Sequence, residues 1–253
     1  MIMEQKTMKK LGFCLMICLF MIVKCIENQT EGTRHKDNIE KYLAGYYDNI
    51  DTKGPVQEAT YLPPSTWNTY RIAGSFSISI PNTLEMRKEA DPYTQRIKDA
   101  DWYGYKVDLS NVVFQQKGLA DYESEALDTY CRVMLNVETG NRGDYMKSNE
   151  WAELTDEDIQ VFQESLQYSS DISKGEFKII GKPNVGWIHI EDIYGIEIRY
   201  LRTGIEGNRT VVNTYYFFND AELATLTLSY RQTDAEKWEK DLENIVRTFE
   251  WLE

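Results

Sequence analysis

The sequence predicts an α+β fold, an antiparallel β-sheet flanked by helices in an α/β/α sandwich, and three observations predict it. Between Phe177 and Arg231, apolar runs recur with Gly-, Pro- and Asn-containing breaks, as in a strand meander. In the last run Ala224, Leu226, Leu228 and Tyr230 alternate with Thr225, Thr227, Ser229 and Arg231, which gives a sheet one covered and one wetter face. Directly after it Trp238, Leu242, Ile245, Val246, Phe249 and Leu252 recur at helical spacing, and such a stripe is buried against a sheet.

Residues 1–24 read as a secretory signal peptide. Lys6, Lys9 and Lys10 precede an apolar run from Leu11 to Val23, and polar sequence resumes at Lys24. As a helix this run rises only about 20 Å, short of the roughly 30 Å hydrocarbon core of a bilayer. Cys25 follows where bacterial lipoproteins carry the cysteine that becomes lipidated. Ile22, Val23 and Lys24 before it resemble a relaxed lipobox, with Lys24 standing where a small residue is usual. Two readings stand, a lipid anchor at Cys25 and simple secretion. Cys14 and Cys18 leave with the signal, and Cys25 and Cys131 alone make no disulfide framework.

Residues 25–65 form a polar tether. Within it Ile39, Tyr42, Leu43, Tyr46, Tyr47 and Ile50 have helical spacing, and Gly54-Pro55 and Pro63-Pro64 mark an irregular connection. The folded domain is expected over 66–253. Its first strand is Phe76 to Ile80, where Phe, Ile and Ile alternate with Ser77 and Ser79 until Pro81; Leu84 to Arg87 gives a second across the turn at Asn82-Thr83. Residues 91–109 show no period and read as a long loop. Val112 to Gln116 and Thr129 to Glu138 are the next strands.

Thr155, followed three residues later by Asp158, predicts a capped helix start. Asp156 and Glu157 suit the positive end, and Ile159, Phe162 and Leu166 share a face up to Ser169. Five strands follow, at Phe177 to Ile180, Trp187 to Ile190, Ile196 to Arg202, Val211 to Phe218 and Leu223 to Arg231. The closing helix runs from Ala235 to Trp251, capped by Thr233 or Asp234.

This order of elements, with FSISIP at Phe76 to Pro81 and LTLSYR at Leu226 to Arg231 running into the last helix, resembles the PsbP-like superfamily over roughly Ile72 to Leu252. The resemblance implies an antiparallel sheet sandwiched between helices. It also implies the company of exported bacterial proteins and lipoproteins, and it carries no motif of functional residues.

The formal charge is −13; loss of residues 1–24, with four lysines and one glutamate, leaves about −16, which repels phosphate backbones and anionic headgroups. Nucleic acid is therefore not expected as a partner, and membrane contact is expected through the lipid anchor only. His35 lies in the tether, and His189 between Ile188 and Ile190 faces away from them, toward solvent or a polar neighbour. Cys131 lies in an apolar run and reads as a small buried hydrophobe. Asp99, Asp101 and Gly104 begin a calcium-loop pattern that Tyr103 and Ser110 break, and no Cys or His pair has zinc spacing. No catalytic residue, metal or cofactor is expected. Asp156, Glu157 and Asp158 are explained by the helix start, and Glu191 and Asp192 by a turn.

The strongest binding candidates are Tyr93, Trp102, Tyr103 and Tyr105, aromatics set beside Arg96, Lys98, Asp99 and Asp101 in the long loop. The same rings also suit covering a sheet edge. The sequence thus predicts a non-catalytic exported binding or assembly module, in the periplasm or on a bacterial membrane, with an unknown protein or small ligand as partner. A carbohydrate or small-ligand binder using residues 91–109 is the alternative reading, and a carboxylate hydrolase the third.

Overall fold

The computed structural model describes residues 55–87, 111–172, 177–204 and 207–252. Its strands are β1 (Val56–Glu58), β2 (Asn68–Ile72), β3 (Phe76–Ile80), β4 (Leu84–Met86), β5 (Asn111–Gln116) and β6 (Cys131–Thr139), then β7 (Phe177–Ile190), β8 (Ile193–Gly204), β9 (Arg209–Asn219), β10 (Glu222–Arg231) and β11 (Glu250–Trp251). The helices are α1 (Ser124–Leu127), α2 (Asp156–Ile172) and α3 (Ala235–Val246). The main sheet has the order β1-β7-β8-β9-β10-β6-β5-β4, antiparallel throughout except for β1 on β7; a small antiparallel sheet has the order β11-β3-β2.

Strand alternation sorts the core into two layers. On the first face of the main sheet Leu135, Phe217, Leu226 and Leu228 meet Trp238, Leu242 and Ile245 of α3, together with Phe76, Ile78 and Ile80 of the small sheet. On the second face Trp187, Ile196, Ile198 and Val212 meet Phe162 and Leu166 of α2, with Tyr145, Met146 and Leu154 of the chain leading into that helix. Helices lie on both faces, so the expected sandwich forms.

Helix α2 starts as its sequence dictates. Asp158 N–H donates to Thr155 Oγ1 at 3.2 Å, and Thr155 N–H and its hydroxyl donate back to Asp158 Oδ2 at 2.9 and 2.7 Å. These reciprocal bonds satisfy donors at a helix end that would otherwise lack partners.

Several expectations are corrected. Phe177 to Ile180 and Trp187 to Ile190 belong to one strand, because Gly181-Lys182-Pro183-Asn184 forms a bulge instead of a turn. The register slips between Ile180 and Asn184, and Gly181 takes a φ of 72° that a side chain would resist. Pro183 is tolerated there because β1 covers β7 only at Ile188–Ile190. Beyond it, exposed Lys178 and Lys182 and the bulge guard the outer edge, while Gln163 of α2 donates to Pro183 O at 2.7 Å.

Within the span read as a tether, Val56–Glu58 extends the main sheet, and Arg247 pairs with Glu58 at 2.6 Å. Strand β4 pairs with β5 and leaves β3 to the small sheet. Ser77 and Ser79, expected on the wet side of β3, are buried, with the cross-strand side chains of β2 and β11 beside them. Their hydroxyls find partners in Glu250 at 3.4 Å and Thr69 at 2.9 Å.

The closing helix ends at Val246, five residues short of expectation, and Glu250–Trp251 pairs with β3. Asp234 does not cap it. Its carboxylate accepts from Thr129 Oγ1 at 2.8 Å and Tyr130 N at 2.9 Å, tying the helix start to the head of β6.

Candidate functional site

The chemical character of the second face changes partway across the sheet. In register, Trp187, Ile196 and Tyr216 stand in line with Thr225 and Asn136; Val185 and Ile198 with Thr214, Thr227 and Met134; Tyr200 and Val212 with Ser229 and Arg132. The members on β7, β8 and β9 are mostly apolar and belong to the layer under α2. From β10 to β6 the same lines become hydroxyl, amide and charge, with Met134 the apolar exception. This half lies outside both apolar clusters, with Arg132, Asn136, Glu138, Thr225 and Thr227 half-buried.

Local sequence explains the switch. Strand β6 reads Cys131, Val133, Leu135 and Val137 on the first face, all buried, and Arg132, Met134, Asn136 and Glu138 on the second. Neighbouring β10 turns Leu226 and Leu228 to the first face and sets Thr225, Thr227 and Ser229 beside the polar row, while Leu223, opposite Glu138, joins the layer under α2. Thr214 and Thr227 hydroxyls lie 3.5 Å apart, and those of Tyr130 and Ser229 3.3 Å apart.

Two charged side chains mark the ends of the row. Arg132 Nε and Glu138 Oε1 are buried atoms with no hydrogen-bond partner, a condition native proteins avoid unless the groups have another use. The Arg132 guanidinium lies 5.8 Å from the Tyr130 ring centre, and six residues of strand set the two ends roughly 20 Å apart. Burial alone raises the Glu138 carboxyl to about 7. It therefore exchanges its proton near neutrality, donating a hydrogen bond when protonated and accepting when not.

A carboxyl that titrates near 7 in the fold and near 4.5 in the unfolded chain holds its proton more tightly when folded. The penalty for ionising it thus grows as pH rises from about 4.5 to 7 and is complete above. Glu138→Gln should leave urea stability at pH 4.5 unchanged and raise it at pH 8 by roughly 1–2 kcal/mol, with allowance for the solvent that still reaches the group. Equal shifts at both pH values would show that the carboxyl ionises freely.

A second concentration of charge lies between α3 and the first face. Buried Glu197 accepts from Arg199 Nε at 2.7 Å, Arg247 pairs with Glu58, and the Tyr230 hydroxyl donates to Glu239 at 2.7 Å. Burial raises the Glu243 carboxyl and Arg199 opposes it. The Tyr230–Glu239 bond fastens α3 to β10, and the Arg247–Glu58 pair joins the end of α3 to β1.

The residues singled out in the sequence fall variously. Cys25, Tyr93, Trp102, Tyr103 and Tyr105 lie outside the described residues, as do the broken calcium pattern and the signal segment. Cys131 is a fully buried free thiol, and burial, then Asp241 and Asp234, push it well above the usual thiol range, which suits a packing residue. His189 faces away from Ile188 and Ile190 as expected, but its neighbour is aromatic: its ring stacks on Tyr194 at 4.1 Å. Among the described residues, no group of three or more His, Cys, Asp or Glu is placed to hold a metal ion, and no helix is long and apolar enough to cross a membrane.

The polar half-face on β6 and β10 escaped the sequence reading. Its signal was present, in the strict alternation of Arg132, Asn136 and Glu138 with buried partners, but nothing in the sequence said that α2 would stop short of it.

Fold and face together define a sheet-dominated α+β protein with one partly polar, half-buried sheet surface. No family model matches the chain and no curated protein matches it. Among solved structures it is similar to cyanobacterial PsbP (CyanoP) from Synechocystis sp. PCC 6803, at 13% identity and a TM-score of 0.46 over 79% of this chain and 100% of that one. It is also similar to LpqN, described as involved in cell envelope biogenesis of Mycobacterium tuberculosis, at 9% identity and a TM-score of 0.40 over 83% of this chain and 97% of that one. A third is a protein of Bacteroides thetaiotaomicron VPI-5482, at 8% identity and a TM-score of 0.35 over 74% of this chain and 49% of that one.

Proposed function

We propose that the chain is a non-catalytic exported binding or assembly module, held at a membrane through an acylated Cys25, that engages its partner with the polar face of β10 and β6. The observation that carries the reading is the change of character across the second face. A surface meant for another helix of this chain would continue the apolar stripe that α2 meets, whereas this one offers hydroxyls, amides and two charged groups with unsatisfied buried atoms. A partner that supplies an acceptor to Arg132 and a donor to Glu138 would satisfy both. The acidic balance of the chain favours a protein or small ligand over nucleic acid.

The test is a paired substitution, Thr225→Arg with Thr227→Arg, made in the full chain. Both side chains stand over the polar face and outside the apolar clusters, so circular dichroism and melting should hold while capture of the partner from native membranes is lost. Undiminished capture by the folded variant would move the binding surface elsewhere. Mass spectrometry of the mature amino terminus tests the anchor, and a first residue other than Cys25 removes it. Turnover by the purified chain that Glu138→Gln abolishes would overturn the non-catalytic reading.

A further inference from the structure

We propose that the corner formed by Trp151, Tyr194 and His189 is a carbohydrate-binding site, where a neutral sugar ring stacks on the exposed indole. This goes beyond the partner-binding face and does not rest on it. His189 and Tyr194 are cross-strand neighbours at the end of the β7–β8 hairpin, with rings parallel to within 2°. Trp151 extends the run outward, its ring centre 6.4 Å from that of Tyr194 at a tilt of 30°. It is 44% exposed, an unusual position for a side chain with so much apolar surface.

The rings are held in place before any ligand arrives. Tyr194 N–H donates to Ser148 O at 2.7 Å, joining the Trp151 segment to the hairpin. Glu150 N–H donates to Lys147 O at 3.1 Å and the Lys147 ammonium pairs with Glu150 at 3.3 Å, closing the turn just before the indole. Such fixing lowers the ordering cost of binding.

The surroundings select the ligand. A sugar ring presents a face of C–H groups, which suits an indole, and a rim of hydroxyls, which suits carboxylates and amides as acceptors. Asn149, Glu150, Glu191 and Asp192 are exposed beside the rings in sequence. These acids and the net charge of −13 disfavour a phosphorylated or sulfated ligand. The Lys147 ammonium is neutralised by Glu150, so an organic cation is the competing ligand that the experiment must separate from a sugar.

The full chain is titrated with cellohexaose, xylohexaose, laminarihexaose and mannohexaose, with choline as the cationic comparison, following tryptophan fluorescence and the indole N–H resonance of Trp151. The expected result is saturable binding of at least one oligosaccharide in the millimolar range or tighter. Trp151→Ala should weaken it by about tenfold or more, and Trp151→Phe by less, because it keeps a flat ring. Both variants should melt near the parent temperature, since the indole lies outside both cores. No saturable response to any of the four sugars, equal affinity in folded Trp151→Ala, or choline in place of sugar at Trp151 would each overturn the proposal. None of these outcomes bears on the Arg132 to Glu138 face, whose own test is the arginine pair.

Discussion

Trp238→Ala should destabilise the fold by about 3–5 kcal/mol, the range for removing a large aromatic from a core that only partly collapses. The side chain is 2% exposed, wedged between α3 and the first face among Leu242, Ile245 and the residues of β10 and β6. Its loss also breaks a chain of polar contacts. The indole N–H donates to Thr129 Oγ1 at 2.7 Å, that hydroxyl donates to Asp234 Oδ2, and the same oxygen accepts from Tyr130 N. The tryptophan therefore does two things at once. It fills the layer under the helix, and it anchors the hydroxyl that connects the start of α3 to the head of β6. At about 2–4 °C per kcal/mol for a chain of this size, melting should fall by about 6–20 °C. Trp238→Phe keeps one aromatic ring and loses the rest of the indole with its N–H, so it should cost less than the alanine variant and still leave the Thr129 hydroxyl without its donor, a loss of about 1–3 kcal/mol. A loss under 1 kcal/mol for the alanine variant in urea unfolding would mean that α3 does not seal this face.

What the sequence disclosed follows from where its signals are local. The alternation from Glu222 to Arg231 needs only one strand to be read, and both of its faces lie where the residues predict. The Thr155 and Asp158 pair is likewise self-contained. Misreadings arose where one local pattern serves two structures. Gly181 to Asn184 carries turn residues, yet at a sheet edge they make a bulge. Phe249 continues the helical spacing of Ile245 and Val246, but its ring reaches the core from beyond the helix end. Asp234 has the identity of a cap and serves a strand instead. The Trp151 corner had no local signal at all, because its three rings come from the approach to α2, from β7 and from β8. The polar face was half legible: the sequence showed a wet side to β10, and only the register showed that β6 enlarges it with Arg132, Asn136 and Glu138.

Gly195→Ala should destabilise the fold by about 1–3 kcal/mol, the range for overpacking a tight core, although alanine is ordinarily the better strand residue by roughly 0.5–1 kcal/mol. The packing decides the sign. Gly195 pairs in register with Phe217, whose fully buried ring stacks on Phe249 at 4.2 Å, and Phe249 lies 4.9 Å from Phe76. A β-carbon at position 195 would stand 2.6 Å from Phe217 Cδ1 and 2.9 Å from the Tyr216 backbone oxygen. The ring cannot swing away, because Phe249 occupies the next layer. The carbonyl cannot retreat without loosening the β8–β9 ladder. This small residue is thus what lets the phenylalanine stack join the main sheet to the small one, through Phe249 and Phe76. The same substitution made in a Phe217→Leu background should cost less, since a smaller side chain yields the space, and the difference measures the coupling between the two positions. Equal costs in both backgrounds would show that the clash is with the backbone oxygen alone, and a stabilising Gly195→Ala would mean that the aromatic stack does not press on β8 at all.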